Sequence, residues 1–136
     1  MNRDELLALA DRCEAAAEPD RELDCAISLA LVVPPDGCKA VASELSSQAG
    51  LLVDRIGRLH GTVDYQPLTA SLDAAMSLAP NAPTGLEVSN FYGNPWRAVI
   101  YPEGDGTISE GLAATPALAL TAAALRARVQ ALEPSK

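Results

Sequence analysis

The single histidine of this 136-residue chain, His60, is the side chain best suited to acid–base chemistry near neutral pH. Asp54 and Asp64 flank it and could orient its ring. A nucleophile would complete a catalytic group, and it could be a carboxylate or one of three cysteines, Cys13, Cys25 and Cys38. No local signature surrounds any of these thiols. A small hydrolase centred on His60 is therefore one hypothesis, with its nucleophile left open.

Metal and phosphate sites are not indicated by the spacing of the usual ligands. The three cysteines form no CxxC pair, and one histidine does not complete a tetrahedral zinc set. No GxGxxG or GK[ST] loop is present. We therefore expect neither a metal ion nor a cofactor, and we expect the cysteines to be reduced and to behave as small apolar side chains.

Arginines and aromatic side chains between residues 55 and 97 form the candidate ligand-binding set. Its members are Arg55, Arg58, Tyr92, Trp96 and Arg97. An aromatic ring beside a guanidinium can stack a planar ligand and hold an anion next to it. Neighbours on a strand face opposite sides, however, so Trp96 could instead be a core anchor with Arg97 in solvent. A small anionic ligand would need these arginines to converge, within one subunit or between subunits.

The charge of the chain is −8, and residues 1–24 alone contain eight acids and three bases. A nucleic-acid binder needs a basic footprint, and none is visible, so no nucleic-acid partner is expected. No run of about 18 apolar residues is present, so no membrane partner is expected either. These features predict a cytoplasmic protein.

Apolar spacing and capping residues predict most of the helices. Helices are expected over residues 3–17 and 21–32, over 40–52 with many serines, and from Thr69 or Ser71 to Leu78. Thr115-Pro116 begins the last helix as a hydroxyl cap followed by proline. Its inward stripe is Leu118, Ala122, Leu125, Val129 and Leu132.

Strand signals are strongest near residues 85–101, where two β-rich runs flank a tight connection and predict a hairpin. Thr62–Tyr65 could be a further short strand. The order of elements favours one α+β domain over residues 1–136, with an acidic helix in residues 1–20 and a frayed tail at 134–136. We expect a small antiparallel sheet packed by three to five helices.

Three segments, RELDCAISLAL (21–31), TASLDAAMSLAP (69–80) and ATPALALTAAALRAR (114–128), resemble the phage ABA sandwich domain family in order and spacing. The resemblance implies an α/β/α-type sandwich and a phage or prophage origin, hence the cytoplasm of a host bacterium. It implies no established reaction. Asp24 and Asp73 lie in matching Leu-Asp pairs, and each could equally be a solvated acid on a helix face.

The function that fits these observations is a phage or prophage accessory protein that acts by binding rather than by catalysis. One version is a homo-oligomer that sequesters a small nucleotide-like signal of host defence. Another is a protein that binds and blocks a host protein. The third hypothesis is the hydrolase centred on His60.

Overall fold

The computed structural model describes residues 3–32, 36–42, 49–78, 85–90, 95–101 and 108–132. Its helices are α1 (Arg3–Ala15), α2 (Arg21–Leu31), α3 (Leu72–Met76) and α4 (Pro116–Leu132). Its strands are β1 (Cys38–Ala42), β2 (Ala49–Asp54), β3 (Leu59–Asp64), β4 (Gly85–Ser89), β5 (Trp96–Tyr101) and β6 (Ser109–Ala113). The strands form two antiparallel sheets, sheet A in the order β1-β2-β3 and sheet B in the order β4-β5-β6.

The last helix, α4, is the centre of the core. The Leu118 amide donates to the Thr115 hydroxyl at 3.2 Å, which confirms the predicted start of the helix. The predicted stripe is buried at Leu118, Ala122, Leu125 and Val129, and the side chain of Leu132 lies outside the described residues. Alanines on the other faces of α4 are buried as well, because α1, α3 and sheet B all pack around it.

Sheet B lies against α4 at very short range. The β4–β5 pairing confirms the predicted hairpin. On β6, Gly111 lies so close to the helix that a Cβ there would collide with the carbonyl oxygen of Ala119. On β5, Trp96 packs against the core cluster together with the buried side chains of Ala98 and Ile100. The absence of a side chain at Gly111 therefore sets the distance between sheet B and α4.

Sheet A replaces the helix that the sequence predicts over residues 40–52, so that prediction is wrong. Val41 and Leu51 are cross-strand partners, and the apolar side chains that fit a helical spacing also alternate along two strands. At Gly50, an added Cβ would meet Leu29 of α2 at 2.7 Å and the Val41 carbonyl at 2.8 Å. Close packing on α2 thus favours a strand here over a serine-containing helix.

A buried acid, Asp24, binds the segment that connects the two sheets. Asp24 is 2% exposed, so of the two interpretations that the sequence leaves open it is not a solvated acid, whereas Asp73 is exposed. The Asp24 carboxylate accepts hydrogen bonds from Thr69. The Ser71 side chain then caps α3 by accepting from the Ala74 amide at 3.2 Å. Asp24 is therefore structural, because it ties α2 to the segment that leads into α3.

The α+β class is confirmed by these four helices and two small antiparallel sheets. In the part of the chain that is described, α4 lies between α1 and sheet B, and α2 lies on sheet A. Within those same residues, no helix combines the length and the apolar character needed to cross a membrane.

Candidate ligand-binding site

The β2–β3 hairpin has a four-residue loop whose shape is set by Asp54 and Gly57. The Gly57 amide donates to the Asp54 carbonyl, and the Asp54 amide to the Arg58 carbonyl, both at 3.1 Å. Gly57 has φ +85°, which favours glycine. Asp54 Oδ1 accepts from the amides of Ile56 at 3.0 Å and Arg58 at 2.9 Å. The loop thus contains a turn that the Asp54 carbonyl closes and that ends at a left-handed glycine.

A β-bulge brings the ring of His60 to the same carboxylate. Leu52 pairs with Gly61 and Val53 with Leu59, so His60 is the extra residue on β3. Its Nε2 lies 2.8 Å from Asp54 Oδ2. The hydrogen bond from His60, followed by the one from the Arg58 amide, lowers the pKa of Asp54 from its ordinary value. Of the two orienting acids that the sequence offers, Asp54 is the one that holds the ring.

Cys38 completes one side of a cleft beside this pair. It is the cross-strand partner of Asp54, so both side chains lie on the same face of sheet A. A recess of about 280 Å³ is lined by Cys38, Asp54, Arg55 and His60, among others. It adjoins a larger cleft of about 610 Å³, which Lys39 and Arg55 line together with Cys38 and Asp54. The two parts of the depression are lined by a thiol, an imidazole, two carboxylates (Asp36 and Asp54) and two cations.

The two lining cations, Lys39 and Arg55, and Arg58 on the adjoining loop are not paired with a carboxylate. None of the three forms an ion pair with any residue that the structure describes. Two arginines of the core and of sheet B are engaged: Arg97 lies 2.6 Å from Glu110, and Arg126 lies 2.6 Å from Glu14. The end of sheet A therefore presents three cations with which no described carboxylate forms an ion pair.

The predicted ligand-binding set is divided between the two sheets. Arg55 and Arg58 lie together on the β2–β3 loop, whereas Trp96 and Arg97 lie on β5 of sheet B. Trp96 packs against the core, and the Arg97 guanidinium bonds Glu110 on the opposite face, as strand alternation predicts. Tyr92 lies outside the described residues.

Two residues that line the depression, Lys39 and Cys38, were not predicted from the sequence to lie there. Both belong to β1, whose last three residues fall in the region wrongly predicted as helix. The signal that could have revealed them is the turn at Asp36-Gly37, where Gly37 has φ +83°, followed by a short alternating run. Pairing of that run with β2 would have placed Cys38 near Asp54.

The three cysteines are free thiols in different surroundings. Burial raises the pKa of Cys13 to about 12, and burial also raises the pKa of Cys25. Cys38 is half-buried at the cleft. Within the described ranges, no three histidine, cysteine or acidic side chains are grouped so that they could hold a metal ion.

Compared with models of protein families, with curated proteins and with solved structures, the chain matches none of them. The resemblance to the phage ABA sandwich domain family is therefore an expectation from the three sequence segments alone.

Proposed function

We propose that the protein binds a small anionic ligand in the depression at the β2–β3 loop of sheet A. The observation that carries the proposal is that Lys39 and Arg55 line the cleft and Arg58 follows on the same loop, all without a described ion-pair partner, in a chain of charge −8. An acidic protein repels anions over most of its surface, so an anion binds only where cations collect.

Two carboxylates, Asp54 and Asp36, also line the depression and offset part of its positive charge. The two oxygens of Asp54 are engaged with the loop amides and with His60, so they do not pair with the cations. An anion would therefore be held by directional hydrogen bonds rather than by the local net charge alone. A guanidinium can hold a phosphate or carboxylate through two parallel hydrogen bonds, and Arg55 lines both parts of the depression. Arg55 is therefore the principal anion-binding residue of the proposal.

The size of the depression limits the ligand. Its larger part, about 610 Å³, falls in the range of clefts that accept small molecules, roughly 300–1,000 Å³. Val53 supplies an apolar wall beside the cations. A phosphate or carboxylate attached to a small body, such as a nucleotide, fits these features. With the phage resemblance, this becomes the sequestration of a nucleotide-like signal by a phage accessory protein, in which a homo-oligomer offers several such clefts.

A second candidate function is the blocking of a partner protein through the same loop. Ile56 is 72% exposed and Leu59 is 61% exposed, beside Arg55 and Arg58. Exposed apolar patches rimmed by polar side chains are typical of protein-interaction sites. A partner with an apolar pocket for Ile56 and Leu59 and with acidic residues around it would fit this loop.

The two candidates are separated by the contents and mass of the purified protein. Small molecules released by heating are identified by mass spectrometry, and native mass spectrometry of the unheated protein gives its stoichiometry. A co-purified anion that Arg55→Gln no longer retains supports the ligand-binding proposal. An empty protein that also fails to bind added nucleotides and pyrophosphate would contradict it and would favour a protein partner.

A further inference from the structure

The depression at the end of sheet A is lined by the single histidine of the chain, His60. It shares the recess of about 280 Å³ with Arg55, and its side chain is 47% exposed. An imidazole changes its charge between about pH 5 and 8, a range in which guanidinium groups and exposed carboxylates stay ionised. The charge of the recess therefore changes near neutral pH, and His60 is the side chain that changes it.

The fixed charges that line the depression balance each other. Lys39 and Arg55 supply two positive charges, and Asp36 and Asp54 supply two negative charges. Arg58 follows on the adjoining loop. Because the lining charges nearly cancel, one more positive charge on the ring has a large effect on the electrostatic potential that a bound anion experiences.

The other elements packed on sheet A do not change this balance. The charged side chains of α2, including Arg21, lie in its first turn, and residues 25–31 are uncharged. Arg21 reaches the carbonyl of Tyr65, beyond the opposite end of β3 from His60. From β1, the thiol of Cys38 is the remaining titratable group that lines the recess. In the described part of the chain, the charges facing the ring are thus those of the depression itself.

Asp54 determines which nitrogen of the ring gains a proton. His60 Nε2 lies 2.8 Å from Asp54 Oδ2. The hydrogen bond from His60 lowers the pKa of Asp54 from its ordinary value, so this carboxyl is ionised at neutral pH and can only accept. Nε2 therefore carries a proton in both states of the ring, and Nδ1 is the nitrogen that gains or loses one. Protonation adds a charge while the contact with Asp54 is kept.

We propose that His60 is a proton-dependent part of the anion site, so that the depression binds its ligand more tightly when the ring is protonated. This inference rests on the proposed function and adds to it a residue and a form of regulation. The charge acts through space, so Nδ1 need not touch the ligand. The affinity should be highest below the pH range in which the ring titrates and should fall as the pH rises through it. By linkage, a bound anion should move the titration midpoint of the ring to higher pH.

The first test follows the ring by NMR. Because the chain contains one histidine, the Cε1 proton of His60 gives a single signal whose titration is read directly. Sulfate is the probe, since it stays a dianion over the whole range, whereas pyrophosphate itself takes up protons. At constant ionic strength, saturating sulfate should raise the midpoint by about 0.5–1 pH unit, as expected for a charge pair that water partly screens.

The second test measures sulfate affinity by calorimetry at pH 5.5 and 7.5. The wild type should bind up to about three- to tenfold more tightly at pH 5.5, which is the same coupling seen from the ligand. His60→Gln, whose amide can still donate to Asp54, should lose this difference. His60→Lys carries a permanent charge and should bind tightly at both pH values. Asp64→Asn, an acid at the other end of β3, is the control and should keep the wild-type difference.

The outcomes separate this inference from the proposed function. Sulfate that binds equally at both pH values, and less tightly in Arg55→Gln, would overturn the role of His60 and keep the anion site. A difference between the two pH values that persists in His60→Gln would overturn the role of the ring in the same way. Failure of both sulfate and pyrophosphate to bind at either pH would contradict the proposed function and this inference with it.

Discussion

Thr69 donates two hydrogen bonds to Oδ1 of Asp24, from its amide at 2.7 Å and from its hydroxyl at 2.8 Å. Both residues are almost fully buried. The Thr69 hydroxyl also accepts from the Asp20 amide at 2.8 Å. This network joins the first turn of α2 to the segment between sheet A and α3, so it holds sheet A in place relative to the core.

Replacing the hydroxyl of Thr69 tests the network. Thr69→Val keeps the shape but leaves the buried Asp24 carboxylate without one donor, so the free energy of unfolding should fall by about 1–3 kcal/mol. Urea denaturation measures it. Thr62→Val, at an exposed position of β3, is the matched control and should change it by less than about 0.5 kcal/mol. Equal effects of the two substitutions would contradict a structural role for the network.

Much of the helical part of the fold could be predicted, because caps and apolar spacing are local signals. Asp20 caps α2 by accepting from the Leu23 amide at 3.2 Å, and Thr115 caps α4. Sheet A could not be predicted, because its apolar pattern fits both a helix and two strands. The close packing of Gly50 against Leu29 of α2 favours the strands. That contact is remote in the sequence.

The candidate site could be predicted only in parts. Arg55 and Arg58 are close in sequence, and one hairpin loop holds them together. Lys39 and Cys38 join them through the pairing of β1 with β2, which no local pattern reveals. Trp96 is separated from them because it lies on β5 of sheet B, where it packs against the core cluster.

The close approach of sheet B to α4 can be tested at Gly111. In Gly111→Ala the new Cβ would collide with the Ala119 carbonyl oxygen and lie 2.8 Å from the Ala123 amide nitrogen, both backbone atoms. We expect a loss of at least about 3 kcal/mol in the free energy of unfolding. Gly61→Ala is the control in another strand, where the nearest atom is Leu52 Cδ1 at 3.5 Å. A Gly111→Ala protein as stable as Gly61→Ala would contradict the packing.

Truncation of Leu125 tests whether α4 is the centre of the core. Leu125 is fully buried, so Leu125→Ala should cost about 2–5 kcal/mol. Leu112→Ala, at a side chain that is 40% exposed on β6, should cost clearly less. Chemical denaturation of both variants gives the comparison. An unchanged midpoint for Leu125→Ala would show that the helix does not form the core.

The contact between α1 and α4 should make stability depend on pH. The hydrogen bond from Arg126, 2.6 Å from Glu14 Oε1, lowers the pKa of Glu14 from its ordinary value of 4.5. A carboxyl whose pKa is lower in the folded state stabilises the fold above the unfolded-state value and loses that contribution as the pH falls through the folded-state value. Glu14→Gln should therefore destabilise the protein at pH 7, and its difference from the wild type should shrink as the pH falls below 4.5. Asp73→Asn, at an exposed acid of α3, is the control. A Glu14→Gln difference that stays constant with pH would contradict the ion pair.

The central claim, an anion site at the β2–β3 loop, is tested most directly by calorimetric titration of pyrophosphate into single variants. Lys39→Gln, Arg55→Gln and Arg58→Gln should each weaken binding by about 1–3 kcal/mol as a charge-assisted hydrogen bond is lost. Arg97→Gln removes the same charge at a guanidinium already bonded to Glu110 and should leave the affinity unchanged. An affinity that falls in the three loop and β1 variants and not in Arg97→Gln is the predicted result. Undiminished affinity in all three, or a loss confined to Arg97→Gln, would contradict it.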